Sequence, residues 1–307
     1  MKDKGSIYRY SITLVFALSF LLSFGQGKAS NIVYNNKVEK EIFTYADTLQ
    51  LDYYSQKKDI DSDRPLLVIV HGGGFAGGKR DNPYEVEFAN QMAVNGYAVA
   101  SISYRLTRKG KSFSCDCPSA EKMETFVATS EDISKAVLFL HSRKEKLQFN
   151  ENKTVLIGSS AGAEGVLNTV FMQDHYLFKH IPKFPVAGII SLAGAVVDKE
   201  YITDSTKVPT LFFHGKKDNL VPYGTAPHHY CKPDEVGYLM LDGAEAMAEQ
   251  LKKLNTSYIL AVDLEGNHDW AGLGYKQLPL INEFLEKIIL KQDFIQQTVQ
   301  LKRLNND

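Results

Sequence analysis

Cysteine is scarce in this chain, with three in 307 residues. Cys115 and Cys117 stand too close to bridge each other comfortably, so one of them is expected to pair with Cys231; three free thiols are the alternative. The Cys-Asp-Cys spacing is a poor zinc pattern because no second ligand pair follows, and no metal site is expected. An excess of charge is also missing. The formal net charge is −1, so nothing steers the protein onto nucleic acid or an acidic membrane. Long apolar runs are absent too. The run from Ile12 to Phe24 is too short to span a membrane comfortably as a permanent helix. Internal repeats, low-complexity tracts and linkers are lacking, which argues against an array or a chain of separate modules.

The short apolar run has its own meaning. Lys2, Lys4 and Arg9 precede it, and Ser23 and Gly25 offer small residues before Gln26. Residues 1–25 therefore read as a signal peptide, with a second cut available after Ala29 and a signal anchor as the alternative. No cysteine follows the run, so a lipid-anchored form is not expected. A secreted or periplasmic protein follows, a compartment that permits a disulfide. The full chain is 44% hydrophobic and 23% charged, enough for one large α/β core, and residues 31–307 are expected to form one domain.

Strand and helix patterns alternate along that domain. Residues 31–60 alternate weakly, with Leu49, Leu51 and Tyr53 facing one way, as an antiparallel pair at a sheet edge does. Residues 65–70 are continuously apolar, as a strand buried on both faces should be. Helical spacing follows at 83–94, a strand at 97–104, and a long helix from about 121 to 143 that shows Phe126, Ile133, Val137 and Leu140 at helical intervals. Short buried strands are expected at 186–192 and 210–213, and a helix capped by Asp242 at 243–254. The last strand is expected at 257–262, the last long helix at 278–290, and a peripheral tail after Lys291. The alternation calls for a mostly parallel central sheet with helices on both faces.

At the centre stands Gly158-Ser159-Ser160-Ala161-Gly162, between an apolar run and a helical pattern. A strand, a tight turn and a helix put Ser160 at the apex of G-x-S-x-G. Gly158 and Gly162 avoid a collision across the turn, and Ser160 is expected in a strained conformation that lifts its hydroxyl above the sheet edge. The Ala161 N–H opens the helix on the same side, where it can stabilise an anion. Such a pentapeptide also arises by chance, so the rest of the chain must supply what a serine nucleophile needs. These needs are a base, an acid that orients the base, and donors for the oxyanion.

Each need has a candidate after a separate strand. His71-Gly72-Gly73-Gly74 lets the backbone approach a carbonyl, with Gly73 and Gly74 as donors. The rival phosphate loop lacks its ending, since Gly78-Lys79 is followed by Arg80, and a merely flexible loop is the blander reading. Asp218 follows the 210–213 strand as the acid, with Asp263 as runner-up. His268, in Gly266-Asn267-His268, follows the last strand as the base. His141 and His175 fall in helical patterns, and His180, His214, His228 and His229 fall in loops that do not follow the last strand.

From about residue 65 to 290 the chain resembles an α/β-hydrolase of the esterase/lipase superfamily. The resemblance rests on His71-Gly72-Gly73-Gly74, Gly158-x-Ser160-x-Gly162, Gly215-x-x-Asp218 and Gly266-x-His268, in that order. It implies the α/β-hydrolase fold with Ser160 as nucleophile, Asp218 and His268 as its partners, and Gly73, Gly74 and Ala161 as the oxyanion hole. No cofactor is implied. The chain is most similar to secreted bacterial carboxylesterases and to feruloyl- or acetyl-carbohydrate esterases. The expected substrate is a small-molecule or saccharide ester, with short acyl groups. A serine peptidase of the same fold and a non-catalytic module that keeps the fold are the alternatives. About eighteen residues separate Leu192 from Thr210, too few for a substantial lid. Only segments 107–121 and 222–233 are long enough to shape the pocket, and a bridge from Cys231 would tie them together.

Overall fold

The computed structural model describes residues 38–56 and 61–302. The signal-peptide segment 1–25 and parts of the expected edge pair, 31–37 and 57–60, lie outside the described residues. In chain order the elements are β1 (Val38–Ala46), β2 (Leu49–Gln56), β3 (Pro65–Val70), α1 (Pro83–Val94), β4 (Ala98–Ile102), α2 (Ser119–His141) and a short α3 (Lys144–Leu147). Then come β5 (Asn150–Ser159), α4 (Ala161–Phe171), β6 (Gly188–Leu192), β7 (Thr210–Gly215), the small pair β8 (Thr225–Pro227) and β9 (Met240–Asp242), and α5 (Ala244–Lys253). The chain closes with β10 (Tyr258–Asp263), α6 (Trp270–Leu273), α7 (Leu278–Glu283), which continues as a π-helix over Phe284–Leu290, and β11 (Gln296–Gln300).

Among the described residues, nine strands form one sheet in the order β1-β2-β4-β3-β5-β6-β7-β10-β11. Pairing is parallel from β4 to β11, while β1–β2 and β2–β4 are antiparallel. The molecule has the mostly parallel, doubly covered sheet expected from its sequence. Side chains of one strand part to opposite faces. Leu66, Val68 and Val70 join a core that holds Phe126, Ile133, Val137, Val166 and Met247, from α2, α4 and α5. Leu67 and Ile69 join a second core with Phe88, Met92, Ile281 and Phe284, from α1 and α7. Because β3 is wholly buried, each of its large side chains contributes roughly 1.5–3 kcal/mol of apolar transfer.

The strand order decides where the site lies. From β3 the chain goes outward to β4 and then returns to β5 on the other side of β3. Connections leaving the carboxyl ends of β3 and β5 therefore diverge to opposite faces and open a crevice between them. The loop after β3 is the His71-Gly72-Gly73-Gly74 segment, and the turn after β5 holds Ser160.

Four local features differ from the sequence reading. The segment after Lys291 is peripheral as expected but holds an unexpected strand, since β11 adds to the sheet edge beside β10. Its polar run Gln-Gln-Thr-Val-Gln hides a strand that has one neighbour and buries little, with Val299 packing on the second core. Asp242 does not cap α5. It sits in β9, its carboxylate accepts from the Lys199 N–H and the Thr225 hydroxyl, and Gly243 holds the cap position. His214 is inside β7, wholly buried, and His175 lies in the turns after α4.

Candidate active site

Ser160 occupies the turn between β5 and α4 with φ 50° and ψ −120°, the strained apex anticipated for it. Its N–H donates to Leu192 O of β6 at 2.8 Å, which fixes the apex over the sheet. A side chain at Gly162 would come within 2.1 Å of Val70 O, so the start of α4 can lie against the end of β3 only as glycine. Ser159, next to the apex, is tied as well: its hydroxyl donates to Ala271 O at 2.7 Å. That bond holds α6, just beyond His268, against the elbow.

Ser160 Oγ lies 2.8 Å from His268 Nε2, and His268 Nδ1 lies 2.7 Å from Asp218 Oδ2. The loops that bring the last two together pack backbone on backbone. Lys216 N–H donates to Asp263 O and Lys217 N–H to Gly266 O, both at 2.8 Å. A side chain at Gly215 would meet Asn267 O at 2.3 Å, so this approach also requires glycine. The other Asp218 oxygen, Oδ1, accepts the N–H groups of Leu220 and Val221 at 2.9 and 3.0 Å. His214 Nε2 stands 3.4 Å from Asp218 Oδ2 and 3.2 Å from Val221 O.

Electrostatics follow from that packing. Burial by itself would raise the Asp218 carboxyl, but hydrogen bonds from His214 and His268 outweigh it and hold the group well below the usual carboxylate range. Burial would likewise lower His268. The Asp218 hydrogen bond and charge, helped by Glu164 and Asp269, overcome it and raise the imidazole above 6.5. His229 is pushed down to about 3 by burial and by His228, Lys122 and His268. Asp263, the alternative acid, is instead engaged with Trp270, whose Nε1–H donates to Asp263 Oδ2 at 3.0 Å.

The glycine loop is held from behind. Tyr104 Oη donates to His71 O at 2.9 Å, and the two rings stack with centroids 4.5 Å apart. Arg80, which breaks the phosphate-loop pattern, donates from Nε to the buried Asp52 of β2 at 2.6 Å. Gly73 and Gly74 line the same cleft as Ser160 and Ala161. Ala161 is the first residue of α4, so its N–H is one of those a helix leaves without an internal partner.

The cleft measures about 600 Å³. Its walls include Tyr84, Phe113, Leu220, His228, His229 and Tyr275. Cys115 and Cys231 form a disulfide and Cys117 is a buried free thiol. The bridge joins segment 107–121, carrying Phe113, to the segment carrying His228 and His229. Phe113 meets His228 edge to face at 5.2 Å between centroids. Lys122 Nζ donates to Gly237 O at 2.8 Å beside the bridge. Glu235 stands by the two sulfurs, but both are spent in the disulfide and supply no thiolate for a metal. Sequence patterning missed Glu164, His214 and His228. The only available signal was for Glu164, four residues after Ser160 and so on the same face of α4.

Comparison with known proteins fits this architecture. Residues 51–198 match the family described as BD-FAE. No curated protein matches the chain. Among solved structures, an esterase from the Planctomycetes species Thermogutta terrifontis, Est2, superposes with TM-score 0.56 at 18% identity, over 82% of this chain and 92% of that one. MGS-M1, an α/β-hydrolase enzyme from a Medee basin deep-sea metagenome library, gives TM-score 0.57 at 17% identity, over 83% and 99%. The chain has the α/β-hydrolase fold. A further similar structure is Thermogutta terrifontis esterase 2 phosphoramylated by tabun, with TM-score 0.57 at 20% identity over 82% and 94%. Among the described residues, no helix is long and apolar enough to cross a membrane.

Proposed function

We propose that the protein is a serine carboxylic-ester hydrolase that acts on short-chain or carbohydrate-linked acyl esters through an acyl-enzyme. The observation that carries this reading is the continuous contact Ser160 Oγ–His268 Nε2–His268 Nδ1–Asp218 Oδ2, at 2.8 and 2.7 Å. His268 accepts the hydroxyl proton as Ser160 Oγ attacks the ester carbonyl carbon. Asp218 holds the imidazole in the tautomer that leaves Nε2 open to the serine, and stabilises the imidazolium that forms. The N–H groups of Gly73, Gly74 and Ala161 take the oxyanion, each worth roughly 3 kcal/mol in the transition state. The imidazolium then protonates the departing alkoxide and the alcohol leaves. Water, deprotonated by His268, attacks the acyl-enzyme, releases the acid and restores Ser160.

The tabun-modified esterase among the structural neighbours supports testing Ser160 with an organophosphorus probe. Labelling of Ser160 by a fluorophosphonate, lost in Ser160→Ala together with turnover, is the expected result. Absence of labelling in the folded wild type overturns the proposal. Among the described residues, the cleft is lined by short segments, which favours small acyl groups over long-chain triglyceride. A nitrophenyl-ester series of rising acyl length, run beside acetylated and feruloylated xylo-oligosaccharides, should peak at the short end or on the saccharide esters. A matched anilide hydrolysed as fast as its ester would point to a peptidase instead. We also propose export from the cytoplasm, because the Cys115–Cys231 bridge suits an oxidising compartment. Mass spectrometry of the mature N-terminus checks it, and a retained residue 1 would count against it.

A further inference from the structure

The polar floor of the cleft is unfinished. Glu164, in the first turn of α4, is only 2% exposed, yet it lines the cleft beside Ser160. Its Oε1 accepts no hydrogen bond among the described residues. His228 Nε2 stands 3.3 Å from this oxygen, without hydrogen-bond alignment. His228 also lines the cleft, is 1% exposed, and leaves Nδ1 without a partner among the described residues. Buried polar atoms are almost always hydrogen-bonded, so two open ones on neighbouring residues that line a cleft need a reason. With the His228 proton on Nε2, toward Glu164, Nδ1 is an acceptor. Both open atoms then accept, and what is missing is a donor. The groups packed on His228 are aromatic: Phe113 meets it edge to face and the His229 ring lies 4.1 Å from it between centroids.

Resting on the esterase reading above, we propose that Glu164, backed by His228, is a specificity-determining residue that accepts a hydrogen bond from an O–H or N–H donor on the ester substrate. An alkyl ester fills the same space and leaves Oε1 unpaired. A hydroxylated or ammonium-bearing ester of equal shape completes it, so the site discriminates between substrates that differ by one polar group.

The test compares matched esters at neutral pH in a pH-stat. Ethyl 3-hydroxybutanoate is set against ethyl butanoate for a hydroxyl on the acyl side. Glycerol monoacetate is set against propyl acetate for hydroxyls on the alcohol side, and alanine ethyl ester against ethyl propanoate for ammonium. In the wild type at least one donor-bearing ester should exceed its partner in kcat/KM by about tenfold or more, the scale of one hydrogen bond to a charged acceptor. The preferred pair tells hydroxyl from ammonium. In Glu164→Leu that advantage should fall below about threefold. In Glu164→Gln, which keeps an acceptor without charge, an ammonium preference should vanish and a hydroxyl preference should shrink. A purely structural role for Glu164 predicts instead that all esters slow together and the ratios stay. Wild-type ratios all within about threefold, or a preference that survives both variants, overturn the proposal. Wild-type ratios within about threefold overturn the proposal even if neither variant folds. If plain and donor-bearing esters alike are inert and fluorophosphonate fails to label Ser160, the esterase reading itself has failed and takes this one with it.

Discussion

The indole of Trp270 donates its N–H to Asp263 Oδ2 at 3.0 Å, and both residues are buried. Asp263 ends β10, one strand away from Asp218, and two carboxylates thus flank the His268 loop. One faces the imidazole and the other receives the indole. The two substitutions should separate cleanly. Asp218→Asn should lower kcat by about 10⁴-fold while the protein stays folded, because the imidazole is left in the wrong tautomer. Asp263→Ala should strand a buried N–H and lower stability by about 1–3 kcal/mol. Its folded fraction should keep most of its kcat. Denaturant unfolding and steady-state kinetics on both variants check this, and a reversed pattern would reassign the acid.

A pH profile follows from the raised His268 pKa. A protonated imidazole cannot accept the Ser160 proton, so kcat/KM must fall as pH drops through the histidine's own value. Asp218, Glu164 and Asp269 favour the charged form, which places the acid limb above 6.5. Glu164→Gln removes one of the charges and should move the limb to lower pH. The kcat/KM profile of wild type and variant, measured on one nitrophenyl ester, gives both midpoints.

Reduction of the Cys115–Cys231 bridge should both destabilise the protein and loosen the cleft. The bridge closes a loop with 116 residues of separation, for which chain entropy sets an upper figure of about 5 kcal/mol, and a loss of about 2–4 kcal/mol is expected in Cys231→Ser. Thermal unfolding should begin on the order of 10 °C lower. Since Phe113 and His228 sit on the two tied segments, KM should rise more than kcat falls. An unchanged KM would mean that the noncovalent contacts, such as Lys122 to Gly237, hold the wall without help.

Gly162→Ala tests the elbow. Its new methyl would press on Val70 O, 2.1 Å away, so α4 must slide off β3. Overpacking of this kind costs roughly 1–3 kcal/mol. The slide also moves the Ala161 N–H, so kcat should drop more than stability alone explains. Equal kcat with only a lower denaturation midpoint would show that the elbow tolerates the shift.

Some of this molecule could be read before any fold was seen. Gly158, Ser160 and Gly162 announce a strand-turn-helix because local sterics permit little else, and continuous apolar runs such as 65–70 mark strands covered on both faces. Asp218 and His268 were marked by lying in turns after buried strands, where an α/β sheet presents its loops. Pairing was not legible at that level. Cys115 and Cys117 are equivalent along the chain, and only the fold turns Cys115 toward Cys231. Asp218 and Asp263 both follow strands, and the choice between them rests on where Trp270 and His268 come to lie. The edge strand β11 escaped notice because one neighbour and little burial ask for no apolar run. Chain-local chemistry determined which turns and strands form, because those depend on neighbours a few residues away. The tertiary structure alone decided which side chains share the cleft, since Glu164 and His228 meet across 64 residues only after the sheet is assembled.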